Sequence, residues 1–120
     1  DCGGHTIGVT CTAFGRKGPN EFIRQEVVTS TLSERLSKLI ELGDAYVVLQ
    51  GGTGTLLEFA QVLELRNKGF LPPEKPIIIS WDGWQSLLQM LAFQDPTCKE
   101  FVTYAATAEQ IVRRLKNQGL

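Results

Sequence analysis

Two stretches of this chain carry almost no polar residue: Ala45-Tyr46-Val47-Val48-Leu49, and Pro76-Ile77-Ile78-Ile79 with Ser80-Trp81 behind it. A strand with one wet face alternates apolar and polar side chains. A run without alternation belongs in a sheet covered on both faces, and such sheets are typically parallel. Parallel strands need long crossovers, and helix-period segments follow both runs: "FAQVLELRNKG" (59–69) after the first and "GWQSLLQMLAF" (83–93) after the second. "HTIGVTC" (5–11) and "QEVVTS" (25–30) read as earlier strands, "TLSERLSKLIELG" (31–43) as a helix, "FVTYA" (101–105) as a last strand and "AEQIVRRLKNQ" (108–118) as a last helix. Thr31 with Glu34 and Thr107 with Gln110 fit capping boxes, Asp82 is placed to cap its helix, and Gly43 and Gly69 fit helix stops. "GRKGPN" (15–20), "LPPEKP" (71–76) and "QDPT" (94–97) read as turns. The alternation implies an α/β fold, a doubly wound parallel sheet in three Rossmann-like layers with right-handed crossovers.

Composition removes several function classes. At 120 residues the chain is one domain. A net charge of -1 offers no basic field for nonspecific nucleic-acid binding. No apolar run approaches the roughly 20 residues of a membrane helix, and no signal peptide is legible, so a cytoplasmic location is expected. Three widely spaced cysteines, Cys2, Cys11 and Cys98, fit neither a disulfide framework nor a zinc site. The single His5 reads as a packed strand-edge residue, and no metal is expected. Trp81, Trp84, Phe70 and Tyr104 read as core aromatics, none of them assigned to a ligand.

The chemistry concentrates after Leu49, in Gln50-Gly51-Gly52-Thr53-Gly54-Thr55. In a doubly wound sheet ligands bind beyond the carboxyl ends of the strands. Glycines let backbone approach a ligand closely. The first amides of the following helix, expected to run from about 55 to 68, lack intrahelical partners, and with the helix dipole they favour an anion such as phosphate. The hydroxyls of Thr53 and Thr55 add donors. The plainer reading is a tight turn and nothing more. No lysine follows the last glycine, so this is not a Walker loop, and it is not the G-x-G-x-x-G fingerprint. Glu58 is ambiguous in the same way, because Thr55-Leu56-Leu57-Glu58 has the form of a capping box. Arg35 reads equally as a solvated helix residue. Residue types alone leave both open.

"GGTGTLLE" (51–58) resembles the P-G-G-x-G-T-x-x-E signature of the Lonely Guy (LOG) family, phosphoribohydrolases known for releasing free cytokinin bases. Many relatives carry a lysine-decarboxylase label that nothing in these residues supports. Arg35, in Ser33-Glu34-Arg35-Leu36, stands 23 residues before Glu58 (58 − 35), similar to the family's spaced arginine. "GGHTIGV" (3–9), "DGWQSLLQML" (82–91) and "TAEQIVRRL" (107–115) resemble further family segments, so the likeness runs along nearly the whole chain. Gln50 stands in place of the signature proline, and Leu36 in place of the lysine after the arginine. The resemblance implies that 1–120 is the C-terminal two-thirds of a longer Rossmann-like domain, with about two βα units upstream.

It further implies hydrolysis of the N-glycosidic bond of a nucleoside 5′-monophosphate such as AMP, without a cofactor. Gly51, Gly52, Thr53, Gly54 and Thr55 would hold the phosphate, Glu58 would stabilise the oxocarbenium-like sugar or activate water, and Arg35 would orient Glu58 or bind phosphate or ribose. A homodimer or larger homo-oligomer is implied as well, in keeping with apolar residues on more than one face of 55–68. Two other classes fit the departures: a nucleotide or molybdenum-cofactor carrier that binds without cleaving, and a sensor or scaffold domain of a longer chain.

Overall fold

Strands and helices alternate in the computed structural model, which describes residues 3–15 and 21–120. Cys2 and most of the "GRKGPN" turn lie outside the described residues. The chain forms two compact units, Asp1–Leu42 and Gly43–Leu120.

In the first unit, β1 (Ile7–Cys11) and β2 (Gln25–Thr29) pair in parallel, from Ile7 opposite Gln25 to Cys11 opposite Thr29. A 3₁₀ turn, Thr12–Phe14, follows β1 and ends at Gly15, whose φ of +67° suits glycine. Helix α1 (Leu32–Leu42) buries Leu36 and Ile40, four residues apart and so on one face. Its start is fastened as the sequence implies, with one difference. Thr31 Oγ1 accepts from the Glu34 amide at 3.1 Å, but the Glu34 carboxylate reaches past Thr31 to the amide and hydroxyl of Ser30, at 3.0 and 2.8 Å. Those two bonds, the amide first, hold the Glu34 carboxyl below the usual carboxylate range. The helix ends at Leu42, before Gly43.

In the second unit, β3 (Tyr46–Val48), β4 (Ile77–Ile79) and β5 (Val102–Tyr104) form a parallel sheet in the order β3-β4-β5. The middle strand matches its sequence. Ile77, Ile78 and Ile79 are at most 1% exposed, and each fully buried isoleucine side chain contributes about 1.5–3 kcal/mol. The run at β3 does not: Val48 is buried, whereas Val47 is 39% and Leu49 59% exposed. β3 is the end strand of this three-stranded sheet.

Helices α2 (Thr53–Asn67), α3 (Asp82–Leu91) and α4 (Ala108–Asn117) alternate with these strands, and a 3₁₀ segment, Pro96–Phe101, precedes β5. The stops of α2 and α4 are glycine turns of one design. Gly69 and Gly119 have φ of +78° and +84°. Gly69 N and Phe70 N donate to Arg66 O and Leu65 O at 3.1 and 2.8 Å, and Gly119 N and Leu120 N donate to Lys116 O and Leu115 O at 3.0 Å each. The first turn carries Phe70 outward to 77% exposure, so it is not a core residue. Thr107 caps α4 by accepting from Gln110 N at 3.2 Å. Asp82 is not a cap. It is the first helical residue of α3, and its carboxylate accepts the Tyr104 hydroxyl at 2.7 Å, which pushes the Tyr104 pKa up. Among the described residues no helix is long and apolar enough to cross a membrane. Parallel strands and alternating helices in both units make the fold Rossmann-like α/β.

Candidate functional site

The ladder of β3 ends where Ser80 N donates to Val48 O at 3.2 Å. Beyond it the chain turns through Leu49, Gln50, Gly51 and Gly52, and α2 opens at Thr53, about two residues before the sequence places it. The cap position is Gly52, with no side-chain cap bond. Propensity argues against Gly54 inside a helix, but the first intrahelical bond runs from Leu56 N to Gly52 O at 2.9 Å and draws Thr53, Gly54 and Thr55 into the first turn. Their amides precede that bond and have no intrahelical acceptor.

This register overturns the capping-box reading of Thr55 and Glu58, because Thr55 is already the third helical residue. Its side chain folds over Gly51 instead: a Cβ on Gly51 would lie 2.2 Å from Thr55 Oγ1 and 2.9 Å from Thr55 Cβ. Gly51 is therefore required for a close approach inside the turn. Gly52 and Gly54 are different, since a Cβ on either would meet nothing within 4 Å. Gly51, Gly52, Thr53 and Gly54 are exposed, and Thr55 is half-buried. One flank of the turn is packed by Thr55, and the Gly52 and Gly54 backbone is open.

Glu58 is half-buried, four residues after Gly54 and three after Thr55. Residues at these spacings share a helix face, and helical side chains lean toward the amino terminus. Glu58 thus stands one turn below the amides of the loop, beneath a position with no side chain. The next residue, Phe59, is 1% exposed and anchors this turn in the core.

The turn is also held from α3. The buried Trp84 donates its indole N–H to Leu49 O at 3.0 Å. Its ring meets Phe59 edge-on, with centroids 5.5 Å apart, and Trp81 at 5.2 Å. Sequence reasoning took Trp84 only as core. No spacing rule links Leu49 to a residue 35 positions away.

Arg35 lies in the first unit, half-buried on α1. It is not a simple solvated residue. Its Nε donates to Val9 O at 3.1 Å, and its guanidinium stands 5.8 Å from the centre of the Phe14 ring. This contact to β1 and to the turn after it fixes the orientation of the guanidinium. Among the described residues no three His, Cys, Asp or Glu side chains gather as a metal site would require.

Rossmann-like α/β topology, with a glycine turn feeding an open helix amino terminus at the carboxyl end of a parallel strand, defines the class to which this protein belongs. Within that class, a family model described as "Possible lysine decarboxylase" matches residues 1–115, and the chain belongs to that family. Among its relatives is the cytokinin riboside 5′-monophosphate phosphoribohydrolase LOG3 of Arabidopsis thaliana, 29% identical over 97% of this chain and 57% of the relative. Another is the cytokinin riboside 5′-monophosphate phosphoribohydrolase LOG1 of the same plant, 27% identical over 96% of this chain and 57% of the relative. The chain thus spans a little over half the length of these relatives.

Proposed function

We propose that the protein is a nucleoside 5′-monophosphate phosphoribohydrolase, cleaving the N-glycosidic bond to free base and ribose 5-phosphate. One observation carries this reading: the exposed amino terminus of α2, open at Gly52 and Gly54, with Glu58 one turn below on the same face. The names of the relatives support a cytokinin riboside 5′-monophosphate as substrate, and AMP is proposed as a member of the same nucleotide class.

The phosphate sits on the amides of Gly51 through Thr55, where the helix dipole and partnerless N–H groups favour an anion. Holding the phosphate fixes the sugar's C1′, an orientation effect. Bond cleavage places positive charge on the sugar ring. The Glu58 carboxylate stabilises that charge or takes a proton from the attacking water. Arg35 supplies a guanidinium suited to phosphate or carboxylate. The enzyme works in the cytoplasm, which suits Cys11 and Cys98, both buried and unbridged.

Incubation with AMP followed by chromatography tests the proposal. Adenine and ribose 5-phosphate are expected from the wild type and not from Glu58→Gln, with folding intact by circular dichroism. Binding of AMP without products makes the chain a nucleotide carrier instead, and turnover retained in Glu58→Gln removes the carboxylate from the mechanism.

A further inference from the structure

We propose that Trp84 is a positioning residue for the site: a single indole that fixes both the strand end before the glycine turn and the helical turn that carries Glu58. The turn thus has a determinant outside its own segment, and the link of Trp84 to turnover rests on the function proposed above.

The carbonyl of Leu49 lies one residue past the last ladder bond of β3, so the sheet no longer dictates its direction. A backbone acceptor there is satisfied by water or by a side chain. Trp84 Nε1 provides the side chain at 3.0 Å, and Trp84 is only 5% exposed. The direction in which the chain leaves the sheet toward Gly51 is therefore set from α3. The same ring packs edge-to-face on Phe59, the residue after Glu58, an arrangement favoured by the aromatic quadrupole. Trp81 meets the indole edge-on, and its own ring occupies the space beside Gly83, where a Cβ would lie 2.5 Å from it. The two ends of the segment Leu49–Phe59 thus meet on one rigid side chain. A phosphate cradle gains affinity when its donors need no rearrangement on binding, and a buried ring bonded at one end and packed at the other imposes that order.

Trp84→Phe keeps an aromatic ring, smaller than the indole, and removes the donor. Trp81→Phe trims the same cluster without touching the Leu49 bond. The Leu56 amide, which makes the first bond of α2, serves as reporter by hydrogen exchange. We expect Trp84→Phe to speed its exchange at least tenfold relative to amides of α4, and Trp81→Phe to leave that ratio unchanged. With AMP, Trp84→Phe should raise KM at least fivefold while kcat changes less, and Trp81→Phe should match the wild type. Equal acceleration throughout the chain, or none at Leu56, overturns the inference. If Trp84→Phe does not fold, the wild type decides: the Trp84 indole N–H and the Leu56 amide should exchange through one opening, with protection alike within tenfold, and a wider gap overturns it. Absence of AMP turnover in the wild type sinks the hydrolase reading alone, since the exchange measurements need no substrate.

Discussion

Gly51 and Gly52 are neighbours of the same type, yet the structure gives them different duties. A methyl on Gly51 collides with the side chain of Thr55 down to its Cβ, so rotating the hydroxyl alone does not relieve it, and the start of α2 has to move. Gly51→Ala should lower stability by about 1–3 kcal/mol, as overpacking does, and weaken AMP binding at least tenfold. Gly52→Ala, with open space around it, should cost less, about 0.5–1 kcal/mol, because alanine caps a helix less well than glycine. Thermal denaturation and calorimetric titration of the pair check this, and equal behaviour of the two variants would contradict it. Arg35 has an equally specific setting, with Nε committed to the Val9 carbonyl and the fork near Phe14. Arg35→Ala should lower kcat/KM for AMP at least tenfold. Arg35→Lys should not restore it, since an ammonium has neither Nε nor a planar fork. A wild-type rate in either variant would return Arg35 to a role in packing.

At the scale of elements, two helix starts were legible in the sequence, because a threonine cap is decided within four residues, whereas Asp82 does not cap α3. Thr31 and Thr107 act as read. Thr31→Ala should cost about 1 kcal/mol, measured by chemical denaturation. The paired Glu34 gives a pH signature. Its folded pKa is depressed by bonds to Ser30, so its contribution is present above the unfolded carboxylate pKa and is lost as pH falls through the folded value. The Tm gap between wild type and Glu34→Gln should be open near neutrality and close on acidification through the carboxylate range. A gap that is constant with pH would show that the Ser30 bonds do not stabilise the ionised form. The start of α2 was not legible in this way, because its cap is a glycine with no side-chain bond and its register is set by Leu56 N on Gly52 O and by Phe59 in the core.

For the whole molecule, the apolar residues of α2 exceed what its own unit covers. Phe59, Val62 and Leu63 are buried, whereas Leu56 and Leu57 remain 38% and 42% exposed. Beside them, a mostly apolar groove of about 370 Å³ runs between α2 and α3, with Leu63, Leu91 and Phe101 among its walls. We infer a homodimer that covers this helix. Light scattering at micromolar concentration should give twice the chain mass, and Leu57→Glu should shift it to the monomer. A monomeric wild type would leave the exposed leucines without this explanation.

The order of strands and helices, the parallel sheet, the two threonine caps, the Gly69 stop and the glycine turn between β3 and α2 were all readable from residues close together in the chain. They depend on periodicity, on caps and on glycine spacing, which act over a few residues. Tertiary structure alone decided that β3 is an end strand of its sheet with Val47 exposed, that Thr55 packs on Gly51 instead of capping, that Arg35 is anchored to Val9, and that Trp84 holds Leu49. Each of these depends on which distant group lies within hydrogen-bond or van der Waals range, and sequence separation carries no information about that distance until the chain is folded.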